Sequence, residues 1–252
     1  MDKTAGHHLA KAGAFLSLLV LWQLLWLRGL PDYVLGPGEI LKHFMSALAS
    51  GELFPHIGAS LVRSFPGFAI GTFLGITFGL LAGVARGFDR MLSPMIFLTY
   101  PVPKIVMLPI FMLWIGIGDL SKVLIIALAC FYPTFINAYY GARATPTILV
   151  WSGLNMGARR WHIFRKVVVP SALPLIFAGT RVSLALSFIV MFATEMINAR
   201  SGLGHLIRMA EYGLRFDLMY VSLLTIAILG YLSDYLLQVT RRRVLAWQEQ
   251  SA

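Results

Sequence analysis

The sequence predicts an all-α integral membrane protein, a bundle of six transmembrane helices, and three observations predict it. Charged residues make up only 13% of the 252-residue chain, against roughly 25% in a soluble domain. The apolar residues, 58% of the total, gather into runs of the roughly 17–25 residues that a helix needs to cross a bilayer. Those runs lack the apolar–polar alternation of a barrel strand, so each satisfies its own backbone hydrogen bonds as a helix. No polar linker divides the chain, and one bundle is expected.

The first helix is expected at 12–27. Lys3 and Lys11 precede it, as they would a secretory signal, but the run ends Trp26-Leu27-Arg28 with no small-x-small cleavage site, so it reads as a retained helix. Residues 38–49 follow as an amphipathic stretch, with Ile40, Leu41, Phe44, Met45 and Leu48 on one face and Lys42, His43 and Ser46 on the other. The second transmembrane helix takes 61–85. In it Gly67, Gly71, Gly75, Gly79 and Gly83 recur every fourth residue, a row that lets another helix backbone approach where no hydrophobic effect drives helices together.

The third helix, 94–115, contains Pro94, Pro101, Pro103 and Pro109, and its internal prolines predict a kink. Lys104 directly follows Pro103 and falls about 15 Å along from Pro94, near mid-bilayer. A cation there either serves a pathway or pairs with the carbonyls that the kink frees. The fourth helix, 122–141, carries Asn137 and the one cysteine, Cys130, which excludes an internal disulfide. The fifth, 174–198, places Glu195 about 30 Å from its start, at a depth that rules against an ion pair with Lys104. A second amphipathic stretch, 202–214, sets Leu203, Leu206, Ile207 and Ala210 against His205, Arg208 and Glu211, either as interfacial cover or as a gate over an outer vestibule. The sixth helix is 218–239, with Asp234 and Arg181 near the other end, where pairing is cheap.

The net charge of +10 is read as loop charge of a membrane protein and not as nucleic-acid binding. Lys3, Lys11, Arg86, Arg90, Arg143, Arg159, Arg160, Arg165, Lys166 and the Arg241–Arg243 run share one side, which is richer than the side holding Arg28, Lys42, Lys122, Arg200, Arg208 and Arg215. Both termini are therefore expected in the cytoplasm. The longest cytoplasmic segment, 143–174, reads as two short helices, 151–156 and 161–169, separated by Gly157. Trp151, Trp161 and Phe164 with Arg159 and Arg160 make a surface suited to a protein partner, or to anionic lipid. No Gly-x4-Gly-Lys-Ser/Thr loop, His-Glu-x-x-His pair or Gly-x-Ser-x-Gly elbow is present. The six histidines are scattered, and no catalytic residue, metal or cofactor is expected.

The run GARRWHIFRKVVVPSALPLIFAGTRVSLALSFIVMFATEMINARSGLGHLI resembles the permease subunits of bacterial ABC importers, in particular the nitrate, sulfonate and taurine branch. PVPKIVMLPIFMLWIGIGDLSK and Ser201–Gly204 resemble it too, and the likeness spans roughly 54–239. That family's loop motif has Glu-Ala-Ala, a glycine and a hydrophobic-x-Leu-Pro ending; Gly157 matches the glycine, and Val167 to Pro170 the ending, with Val169 for leucine. Trp151-Ser152-Gly153 stands where the family has Glu-Ala-Ala, so the carboxylate is missing. The resemblance implies a type I ABC importer permease fold in the bacterial inner membrane, with 56–240 as the permease core, 1–55 as an N-terminal tail, first helix and outer segment, and 241–252 as a basic tail. It further implies a cytoplasmic ABC ATPase on the loop around Trp151–Pro170, a second permease copy and an external solute-binding protein. Lys104, Asn137 and Glu195 are expected along the path. The implied solute is a sulfonate, nitrate or taurine; a thiamin-precursor pyrimidine or other small solute fits the same machinery. A secondary transporter would need inverted repeats, and a membrane enzyme a catalytic constellation at one depth; neither is visible.

Overall fold

The computed structural model describes the backbone of residues 3–249 and the side chains of 13–14 and 16–247; the Lys3 and Lys11 side chains, used above for orientation, lie outside the described residues. In chain order the helices are α1 (Lys3–Leu27), α2 (Pro37–Ala49), α3 (Leu53–Val84), α4 (Arg86–Thr99), a 3-10 turn (Lys104–Met107), α5 (Leu108–Ile115), α6 (Asp119–Arg143), α7 (Thr147–Asn155), α8 (Arg160–Ile163), a π turn (Phe164–Val168), α9 (Val169–Asn198), α10 (Leu203–Tyr212), α11 (Phe216–Val244) and α12 (Ala246–Glu249). Among the described residues four runs are long and apolar enough to cross a bilayer: α3, α6, the unbroken run from α8 through α9, and α11. The bent pair 86–115 makes a fifth when counted as one span, and the apolar part of α1 is Leu16–Leu27.

The glycine row of α3 lies against α6, which runs parallel to it. A Cβ on Gly67 would come within 2.7 Å of Ile126, and one on Gly75 within 2.7 Å of the Phe131 carbonyl. Cβ atoms on Gly71, Gly79 and Gly83 would strike the Ala127 carbonyl, the Phe135 carbonyl and the Ala142 side chain in turn. The same four-residue step on both helices keeps the backbones in contact along the seam. On its other side α6 packs antiparallel to α9. Gly179 sits against Asn137, Gly141 against Ala172, and the Ser183 hydroxyl bonds the Cys130 carbonyl at 2.8 Å. Ile125, Ile126, Cys130 and Met191 are fully buried between these helices. α6 is the centre of the bundle, whereas α11 keeps Tyr231, Leu232, Tyr235 and Leu236 exposed, the outward face that lipid requires.

Three expectations change here. The third helix is not one kinked rod but two helices meeting at 94°. Pro101 and Pro103 remove two ladder donors within three residues, so the chain leaves the helix instead of bending within it. The fifth helix does not begin at 174. It continues from Arg160, because Pro170 occupies the second residue of α9 and the π turn just before it widens the coil where the proline ring would otherwise crowd the Lys166 carbonyl. The first amphipathic stretch turns a different edge inward: Ile40 and Ala47 are buried while Leu41 and Met45 are exposed. In the second stretch Leu203, Leu206, Ile207 and Ala210 are all buried, as expected, so α10 caps the ends of α9 and α11.

Candidate functional site

Three places concentrate polar or exposed groups, and they lie at three different depths. The first is the elbow at 144–168. Gly157, two residues past Asn155, closes off α7, and its φ of +78° favours glycine. The Gly157 N–H donates to the Leu154 carbonyl at 2.9 Å and the Ala158 N–H to the Gly153 carbonyl at 3.0 Å, the paired bonds of a Schellman cap. The elbow folds back on itself through Gly153, whose Cα side faces Ile163, and Trp161 stacks on Phe164 with centroids 5.5 Å apart. Ile148, Trp151, Met156 and Trp161 stand exposed, Met156 at 87%. Arg159, Arg160, Arg165 and Lys166 are exposed beside them. Pro170 is half-buried at the root of α9. The loop is thus an ordered aromatic and basic surface continuous with a membrane-spanning helix.

The second place is the break. Lys104 Nζ donates to the carbonyls of Thr99 (2.7 Å), Tyr100 (3.1 Å) and Val102 (2.7 Å). It also lies 3.9 Å from the centre of the Tyr132 ring, within cation–π range. The Tyr100 and Val102 carbonyls take the ammonium where the helix is interrupted, and the Thr99 carbonyl accepts it beside the Val102 N–H (3.2 Å). The break borders a cavity of about 320 Å³ lined by Tyr100, Val102, Lys104, Tyr132, Pro133 and Val190.

The third place is a polar node at the far end of α9. Glu195 is fully buried, and both its oxygens are engaged. Arg63 Nη1 donates to Oε1 at 2.7 Å, the Ser60 hydroxyl to Oε2 at 2.8 Å, and the Gly204 N–H to Oε2 at 3.0 Å. Arg63 Nε reaches Asp119 at 2.7 Å, and its Nη1 reaches the Ser201 carbonyl at 2.6 Å. Gly202 (φ +115°) and Gly204 have no room for a Cβ beside the Glu195 side chain. The node joins α3, α6, α9 and α10.

The residues expected along a path do not converge. Lys104 caps a broken helix. Asn137 is half-buried in the α6–α9 seam and gives its Nδ2 to the Pro133 carbonyl at 2.8 Å. Glu195 lies sixteen residues beyond Gly179, the neighbour of Asn137, hence about 24 Å along α9. Glu195 is fully buried, and both its oxygens are bonded within the node. Arg63, its partner, is not among the residues that the sequence singles out. The usable signal was that α3 and α9 run in opposite directions, which brings the start of one to the depth of the end of the other. At the opposite end the paired ions expected near the boundary are present. Arg181 grips Asp234 through two bonds of 2.7 and 2.9 Å.

The family described as binding-protein-dependent transport system inner membrane component matches residues 71–246. Among known proteins the chain is similar to SsuC of Bacillus subtilis (strain 168), a permease protein named for aliphatic sulfonates transport, at 30% identity over 92% of this chain and 84% of the relative. It is similar to the taurine transport system permease protein TauC of Escherichia coli (strain K12) at 30% identity over 86% and 81%, and to the riboflavin transport system permease protein RibX of Chloroflexus aurantiacus at 33% identity over 92% and 87%. Among solved structures an inward-facing conformation of the MetNI methionine ABC transporter shares the fold, with a TM-score of 0.67 at 22% identity, covering 76% of this chain and 95% of that chain.

Proposed function

The chain belongs to the family of binding-protein-dependent transport system inner membrane components, and from that membership we propose that it forms half of the pore of an ATP-driven importer for a small solute. Two copies of the chain enclose the path, α1 supplies the sixth span, and both termini face the cytoplasm. A separate ABC ATPase docks on the elbow, and an external binding protein delivers the solute. Nucleotide must favour one access state over the other for the pore to alternate.

One observation carries this reading: the elbow is exposed, capped and joined without a break to α9. A push on Trp151, Arg159 or Trp161 is therefore delivered to a helix that reaches the opposite end of the bundle. Without the family's carboxylate, the contact is aromatic and cationic, so the matching cleft on the ATPase carries apolar and acidic groups. The solute is proposed to be a sulfonate or taurine, as the names of SsuC and TauC indicate for those relatives. The similarity to RibX favours a second reading, a heterocyclic solute moved by the same machinery.

The test uses the permease reconstituted with its ATPase and binding protein. Proline holds φ near −65°, so Gly157→Pro breaks the cap at its +78° residue while leaving every membrane seam untouched. The complex should assemble in normal yield and lose solute-stimulated ATP hydrolysis. Undiminished stimulation rejects the elbow as the coupling contact.

A further inference from the structure

Beside the polar node lies a recess of about 300 Å³ lined by Arg63, Asp119, Lys122, Asn198, Arg200 and Ser201. At roughly 30 Å³ per water, it has room for a small ion with part of its hydration shell. Its charge is not balanced. Arg63 is committed to Glu195 and Asp119. Arg200 is exposed, and neither it nor Lys122 has a carboxylate within ion-pair distance among the described residues. Lys122 is only 4% exposed, and its ammonium makes one hydrogen bond, 3.0 Å to the Gly118 carbonyl. Buried ammonium groups are ordinarily paired. Lys122 moreover sits in the first turn of α6, at the positive end of the helix dipole, where an anion is favoured and a cation is not. Asp119, in the same turn, offsets part of both costs, and one bound anion would offset the remainder. The surplus is a single charge, because three cations face the two carboxylates Asp119 and Glu195.

We propose that this recess is a binding site for a small monoanionic oxyanion, held by Lys122 and Arg200, with Arg63 as the buried cation that fixes the charge balance. The proposal rests on the importer reading and names its substrate class. The site stands at the end of the bundle capped by α10, where that reading has solute enter. Asp119, 62% exposed in its side chain, borders the mouth and disfavours dianions.

The experiment uses the full chain in lipid nanodiscs, without ATPase or binding protein. Potassium methanesulfonate replaces potassium chloride at constant ionic strength, and thermal unfolding is followed by tryptophan fluorescence. The unfolding midpoint should rise saturably with methanesulfonate and stay flat when choline chloride replaces potassium chloride. Arg200→Gln, an exposed change that spares the fold, should weaken the apparent affinity about tenfold, as expected for one lost charge-assisted hydrogen bond. Lys122→Met should abolish the shift; if that variant does not fold, the Arg200→Gln titration decides alone. Absence of a saturable shift in the unsubstituted chain, an equal shift with choline, or an unchanged affinity in Arg200→Gln overturns the proposal. A chain that binds no methanesulfonate yet loses coupling in Gly157→Pro refutes the anion site and leaves the importer standing. Binding together with no solute-stimulated ATP hydrolysis by the unsubstituted complex keeps the anion site and refutes the importer.

Discussion

At the residue scale the most consequential group is Glu195, a carboxylate with no exposed surface near the end of a membrane helix. Its cost is met by Arg63, Ser60 and the Gly204 amide, and the pair is worth most when judged by what is left if half of it goes. Glu195→Gln leaves the Arg63 guanidinium buried with Asp119 as its remaining acid, a loss of about 3–5 kcal/mol. Unfolding in detergent should show that loss, and the Arg63→Met, Glu195→Met double variant should recover most of it. A single variant as stable as the parent would mean that the pair holds nothing. His205, on α10 and outside the spans, gives the node a pH dependence. Burial, and then the neighbouring Arg208, push its pKa below the ordinary value. The folded protein thus binds this proton less well than the unfolded chain. Its contribution is complete above about pH 6.5 and is lost as pH falls below that value. The unfolding midpoint should drop on acidification, and His205→Asn should flatten the drop; equal slopes would assign the effect to another group.

At the element scale, what could be read from the sequence was what one helix imposes on its own neighbourhood. The row from Gly67 to Gly83 announces a close seam because small residues every fourth position leave one face of a helix bare, and the seam with α6 is there. What could not be read depends on several elements at once. Pro101 and Pro103 announce a disturbance, but its size depends on Lys104 finding three carbonyls and the Tyr132 ring on α6. Pro174 reads as a helix start because proline usually opens helices, and Pro170 as the end of the loop, while a π turn lets the helix begin ten residues earlier than Pro170. The Arg63–Glu195 contact needs the antiparallel placement of α3 and α9, which no single segment encodes. Two variants test the elements. Gly75→Leu drives a side chain into the Phe131 carbonyl and the Phe135 amide, so the chain should be lost from the monodisperse peak in size-exclusion chromatography; normal yield would show that the seam can open. Lys104→Met leaves the carbonyls of Thr99, Tyr100 and Val102 without their ammonium. It should destabilise the break by about 1–3 kcal/mol, read as faster proteolysis within 99–107 at unchanged protease activity.

At the scale of the whole molecule, the polar ties sit at the two ends and the small-residue seams between them. Asp89, held by Ser93 at 2.7 Å and Tyr139 at 3.0 Å, fixes α4 to α6 at one end; Arg63 and Glu195 fix α3 to α9 at the other. The run Arg160–Asn198 connects both ends as one helix of 39 residues, about 58 Å long at 1.5 Å per residue. A displacement at the elbow therefore cannot be absorbed within a loop. It must tilt the run, flex it at the π turn, or be resisted by the node. Charge gives the expected orientation: Arg143, Arg159, Arg160, Arg165, Lys166 and the Arg241–Arg243 run crowd the elbow end, and because cytoplasmic loops carry the excess of Lys and Arg that end is expected in the cytoplasm. Single-cysteine labelling checks this. With the buried Cys130 replaced by alanine, Arg159→Cys should react with a membrane-impermeant maleimide only in inside-out vesicles. Arg200→Cys should react only in right-side-out ones. The opposite pattern would place the elbow outside the cell, out of reach of any cytoplasmic ATPase, and the importer reading would fall with it.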